Sequence, residues 1–219
     1  MTVEFEPWPK IARLNRDIVI TEKIDGTNAA ILILDEATAE KTPEGAYSKL
    51  IAIVAGTDGR RFLVFAQSRT RFITPEQDNY GFAKWVDANA PALVEALGEG
   101  RHFGEWWGRG IQRGYGLDHK RFSLFNTSRW RDVQFEVPGL STVPVLYWGP
   151  QSETAVRQSL AHLELFGSVA AEKLGVPNQP AEGIVIWHTA GRTFSKVTLK
   201  GDDAPKGPEA HALDEEPVK

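Results

Sequence analysis

The sequence predicts an α+β fold rich in antiparallel strands, on three observations. Short runs of β-branched and aliphatic residues recur through both halves of the chain, helical periodicity is confined to two stretches between them, and strands and helices do not alternate as regular βαβ units.

In chain order, residues 17–24 (DIVITEKI) and 29–34 (AAILIL) read as strands around a tight connection, Asp25-Gly26-Thr27-Asn28. Residues 36–47, with Pro43 and Gly45, read as a loop. Residues 50–54 and 62–67 are strands separated by Thr57-Asp58-Gly59, and antiparallel pairing is their simplest arrangement. Over residues 79–97 the positions Phe82, Trp85, Val86, Leu93, Val94 and Leu97 recur at helical spacing, and Pro91 is expected to kink that helix or start a new one. Strands follow at 101–107, 122–125 and 143–147. A helix over 153–174 carries Val156, Leu160, Leu163 and Val169 on one side, and strands return at 183–187 and 193–199. After Gly201 the composition turns to Asp, Pro, Gly and Glu, which divides the chain into a domain at 1–200 and a flexible acidic tail at 201–219.

Composition removes several classes of function. The absence of cysteine rules out disulfide frameworks and thiolate metal sites, and the five histidines have no HxxxH-type spacing for zinc. The N-terminus lacks the basic start and apolar run of a signal peptide, and no stretch approaches the roughly 18 apolar residues of a membrane span. A cytoplasmic monomer with no membrane partner is the expectation. The formal net charge of -4 resides in the tail, which holds six acids against Lys206 and Lys219. Within the neutral remainder, residues 101–131 carry seven Arg and Lys against Glu105 and Asp118, a local excess that suits phosphate binding or a solvated charged face.

Neither GxxxxGK[ST] nor GxGxxG occurs, so a nucleotide would need another cradle. Five segments supply one in order: Lys23-Ile24-Asp25-Gly26 at a strand end, Ser68-Arg69-Thr70, Phe103-Gly104-Glu105-Trp106, Glu182-Gly183-Ile184-Val185, and Lys196-Val197-Thr198-Leu199-Lys200. Together they resemble the motifs of the covalent nucleotidyltransferases, the superfamily of DNA ligases, RNA ligases and mRNA capping enzymes. The longer string Thr21-Glu22-Lys23-Ile24-Asp25-Gly26-Thr27-Asn28, with Trp8-Pro9-Lys10-Ile11 upstream, is most similar to the phage-type RNA ligases that seal nicks.

That resemblance implies an ATP-grasp-like ligase adenylation domain in which Lys23 takes AMP from ATP, passes it to a 5′-phosphate, and allows a 3′-hydroxyl to displace it. It implies ATP as the donor, since only 22 residues precede Lys23. It implies Mg²⁺ or Mn²⁺ as the metal, with Glu182 as its carboxylate, and RNA ahead of DNA as the partner. It further implies that Glu22, Ile24, Gly26, Asn28, Arg69, Glu105, Phe125 and Lys196 contact the nucleotide. Phe122 and Phe125 both offer an aromatic face for adenine; Phe125 aligns better with the family's Phe-Asp pair, although Asn126 stands where Asp is expected. His188 reads as structural, and Arg71 as a second phosphate contact two residues from Arg69 on one strand face.

The residue types suit this chemistry. A lysine amine attacks phosphorus only when neutral, and with a reference pKa of about 10.4 roughly one in a thousand is neutral at pH 7. Neighbouring positive charge favours the neutral form, and Lys196 and Lys200 are placed to supply it, on one face of a strand with Thr198 between them. Relatives more often space this pair two residues apart, which leaves Thr198 and Lys200 as alternatives for the second position. A minimal DNA ligase or end-adenylating enzyme, and a non-catalytic end-binding module, are the competing functions. Keeping Lys23, Glu105, Glu182 and Lys196 together favours an enzyme.

Overall fold

A computed structural model describes residues 4–41 and 44–200; the expected acidic tail lies outside the described residues. The consecutive apolar residues Ile18, Val19 and Ile20 of β1 (Asp17–Lys23), buried on both faces, place it inside a four-stranded antiparallel sheet, between β10 (Gly183–His188) and β9 (Val145–Pro150), with β11 (Thr193–Thr198) beyond β10. The nearly continuous apolar run of β2 (Thr27–Asp35) makes it the centre of a seven-stranded sheet, paired with β4 (Arg61–Ser68) and β6 (Gly100–Gly108). That sheet extends through β3 (Ala52–Ala55) on one side and through β7 (Lys120–Leu124) and β8 (Leu140–Thr142) on the other, with β5 (Phe72–Ile73) on β4. All ladders are antiparallel except β7 with β8.

The two sheets face each other, and each outer face is covered by a helix. Helix α1 (Phe82–Leu97) lays Phe82, Val86, Ala90, Leu93 and Leu97 on Ala29, Ile31, Ile33 and Val64 of the larger sheet. Helix α3 (Glu153–Phe166) closes the smaller sheet through Ala155 and Leu163 against Ile18, Ile20 and Ile184. Two single-turn helices complete the fold, α2 (Thr127–Trp130) and α4 (Val169–Glu172).

Three expectations change. Residues 17–23 and 29–34 lie in strands as expected, and the tight connection between them carries the chain from one sheet into the other. Helix α1 runs through Pro91 without ending, because Pro91 sits on its exposed side while the opposite face stays anchored in the core. The helix expected over 153–174 breaks after Phe166, where Gly167 ends α3 and the Ser168 side chain caps α4. The loop at 36–47 contains 3-10 turns at Glu36–Lys41 and Glu44–Lys49.

Candidate active site

Between the sheets lies a cavity of about 650 Å³. Alternation along β1 divides its side chains: Val19, Thr21 and Lys23 belong to the cavity face, and Ile18 and Ile20 to the core beneath α3. The cross-strand register extends the cavity face in rows, with Lys23 opposite Gly183, Thr21 opposite Val185, and Val19 opposite Trp187. On β11 the corresponding residues are Thr198, Lys196 and Phe194.

Lys23 ends β1 with its Nζ 2.5 Å from a carboxylate oxygen of Glu182, the residue just before β10. The β1–β10 register creates this ion pair, and it depends on Gly183. There φ is 157°, and a Cβ would lie 2.1 Å from the Val197 carbonyl oxygen, so only glycine lets β11 approach so closely. The turn after Lys23 is equally constrained. A Cβ at Gly26 would lie 2.5 Å from the Trp106 carbonyl oxygen. Two groups from the segment after β6 hold the same turn: the Asp25 backbone N–H donates to the Tyr115 hydroxyl at 2.7 Å, and Arg113 forms an ion pair with Asp25 at 2.9 Å.

From the larger sheet, Glu105 and its cross-strand partner Asn28 face the cavity. Burial pushes the Glu105 carboxyl up to about 7; Lys23 opposes this, the Glu182 and Asp25 charges reinforce it, and the Gly26 N–H lowers it. Phe103 and Phe125 are neighbours on the same face, half exposed to the cavity, with the Phe125 N–H on the Phe103 carbonyl. Phe122 is excluded from this role because its ring is in the core against Phe82 and Trp85. Asn126 caps α2 by accepting the Arg129 N–H, a task that an amide performs as well as a carboxylate.

Several expected residues are placed differently. The Glu22 side chain points away from the cavity, 1% exposed, and accepts hydrogen bonds from the Ser168 hydroxyl at 2.5 Å and the Ala170 N–H at 2.8 Å. Burial pushes its carboxyl up despite these donors. Ile24 is likewise buried, with Trp107 and Tyr115. A strand that presents Lys23 to a ligand must turn Glu22 and Ile24 the other way, so these two border the cavity with backbone. Arg69 and Arg71 are not on one strand face: β4 ends at Ser68, whose N–H bonds to the Arg71 carbonyl in a turn, and both arginines are exposed and outside the cavity lining. Lys196 is exposed on the cavity face opposite Val185, and Lys200 lies beyond the end of β11, where its carbonyl accepts the Thr198 hydroxyl. His188 is structural, with Nδ1 accepting from the Gly191 N–H and Nε2 donating to the Leu14 carbonyl.

Sequence reading missed Tyr115, Arg113, Trp187 and Phe194. The last two pack in a tilted ring pair, centroids 4.4 Å apart, along the cavity wall. Alternation from Gly183 through Val185 to Trp187 was the available signal; nothing local marked Tyr115 or Arg113.

Among the described residues, no three His, Cys, Asp or Glu side chains converge to hold a metal ion. Glu182, with Glu105 nearby, suits a divalent cation that keeps most of its water and shares phosphate oxygens, rather than one caged by protein. Among the described residues, no helix is long and apolar enough to cross a membrane.

Two facing sheets with a lysine at their seam, paired to a carboxylate in a nucleotide-sized cavity, define a ligase domain of the nucleotidyltransferase type. A model of the RNA ligase family matches residues 16–201, and the chain belongs to that family. Among solved structures, it is similar to a mutant of the Naegleria gruberi RNA ligase with ATP and Mn, at a TM-score of 0.54 and 18% identity, over 84% of this chain and 50% of that one. The likeness is one of fold, and the chain spans about half the length of that protein. None of the curated proteins matches by sequence.

Proposed function

We propose that this chain is an ATP-dependent RNA ligase that works through a lysyl-AMP intermediate on Lys23. The observation that carries the proposal is the Lys23–Glu182 pair at 2.5 Å, standing in a cavity whose far wall presents Glu105 and Asn28. A cavity of this size accommodates a nucleotide.

Lys23 Nζ forms a bond to the α-phosphorus of ATP as the bond to the pyrophosphate oxygen breaks. The amine must first lose its proton, and the Glu182 carboxylate 2.5 Å away holds it in position in the cavity. The AMP then passes to the 5′-phosphate of a nucleic-acid strand, freeing Lys23, and a 3′-hydroxyl displaces AMP to leave a phosphodiester. Glu105 accepts hydrogen bonds from the ribose hydroxyls, most strongly when it is ionised and acceptor-only. Phe125 offers its ring to adenine, and Lys196 gives positive charge to the phosphates. Glu182 would hold a divalent cation, which would supply charge neutralisation at the phosphates. The expected partner carries 5′-phosphate and 3′-hydroxyl ends, RNA ahead of DNA.

Incubation with ATP labelled at the α-phosphate tests the reading. The wild-type chain acquires an acid-labile label and Lys23→Ala does not; a label that persists in Lys23→Ala, or no label at all, sinks the proposal. Nicked duplexes whose 3′-hydroxyl strand is RNA or DNA, compared at matched salt, then test the substrate. Equal or faster sealing of the all-DNA nick counts against RNA.

A further inference from the structure

A second depression, of about 490 Å³, lies beside the cavity and shares Val143 with it as a common wall. A second link comes from strand register. Trp148 pairs with Val19, a cavity residue, and therefore projects from the same sheet face as Lys23. Four residue steps along β1, from Val19 to Lys23, separate these rows, which is roughly 13 Å at about 3.3 Å per step.

Arg131 joins the two features. It lines the depression and lays its guanidinium over the Trp148 ring, 4.1 Å from the centroid. Both groups stay accessible, Trp148 at 40% and the Arg131 side chain at 44% exposed. Lys173, just past α4, adds a second cation to the lining. Asp132 is the one acid there; its 3.1 Å pair with Arg131 uses a carboxylate that is 85% exposed, a weak competitor for an incoming anion. An accessible guanidinium–indole stack next to a second cation is the combination by which proteins hold unpaired nucleic acid. The cations follow phosphates, and the flat groups stack on bases.

We propose that this depression is the path of the RNA strand out of the active site, with phosphodiester groups on Arg131 and Lys173 and an unpaired base stacked on the Arg131–Trp148 pair. The inference rests on the RNA ligase reading and adds a polynucleotide site outside the nucleotide cavity. It separates the residues that hold the strand from those that take AMP.

The test uses the full chain and a fluorescent, 5′-phosphorylated single-stranded RNA, with anisotropy measured over a range of salt and Lys23 labelling followed in parallel. Trp148→Ala is expected to weaken RNA binding by about tenfold or more, within the range for one stacked base, and Trp148→Phe to restore most of it. Arg131→Ala is expected to weaken binding and to reduce the slope of log affinity against log salt by about one. Lys23 labelling in all three variants stays within about twofold of wild type. Wild-type affinity and salt slope in Trp148→Ala and Arg131→Ala overturn the inference while leaving the ligase reading intact. Loss of Lys23 labelling in step with RNA binding also overturns it, because the pair would then be acting on the nucleotide cavity. A wild-type chain that is never labelled at Lys23 overturns the ligase reading itself, and the strand path with it.

Discussion

Glu105→Gln separates what this carboxyl costs the fold from what it gives the site. In the folded chain, burial raises the group from 4.5 to about 7. Between those values the native state keeps a proton that the unfolded chain has released, so stability falls as pH rises through this window and levels off above about 7. The gap corresponds to about 3 kcal/mol. Glutamine has nearly the shape of the protonated acid and does not titrate. The variant therefore matches wild type near pH 4.5 and exceeds it by up to about 3 kcal/mol above pH 7, or roughly 6–12 °C in melting temperature for a chain of this size. Melts of both proteins without nucleotide, from pH 5 to 8, measure the difference directly. A stability difference that does not change across that range refutes the reasoning, because it would mean that no buried charge forms there. Lys23 labelling moves the other way. The variant loses about tenfold or more, the worth of hydrogen bonds to a charged acceptor, and in the wild type labelling rises with pH as Glu105 ionises.

Three further substitutions probe the supports of the site. Gly183→Ala forces β11 away from β10 and is expected to cost about 2–4 kcal/mol, read in urea unfolding, together with loss of Lys23 labelling. Ser168→Ala removes a donor from the buried Glu22 carboxylate and the cap from α4, and a loss of about 2 kcal/mol is expected in the same assay. Tyr115→Phe leaves the Asp25 N–H without its acceptor, at about 1–3 kcal/mol; it should slow Lys23 labelling in a protein that still unfolds cooperatively, and an unchanged labelling rate would show that the turn holds without it.

The elements themselves were largely legible, because period-two alternation and turn residues are local properties. Residues 17–23, 29–34, 101–107 and 183–187 all lie in strands, and the ordered segments around Lys23, Glu105 and Glu182 are brought together at one cavity. The same alternation was enough to turn Glu22 and Ile24 away from Lys23, an inference that the motif resemblance obscured. The break between α3 and α4 was harder to read, since Leu163 and Val169 keep an apolar pattern across it.

What the amino-acid order determined by itself was most of the strands and turns and, through alternation, which side of β1 its residues take. Only the tertiary structure decided that β1 and β2 enter different sheets, that the Phe122 ring belongs to the core, and that Tyr115 and Arg113 return to hold the turn after Lys23. Each of these depends on pairing between distant segments. A strand's own sequence states that one face must be buried, but its partner is chosen by the packing of the whole chain.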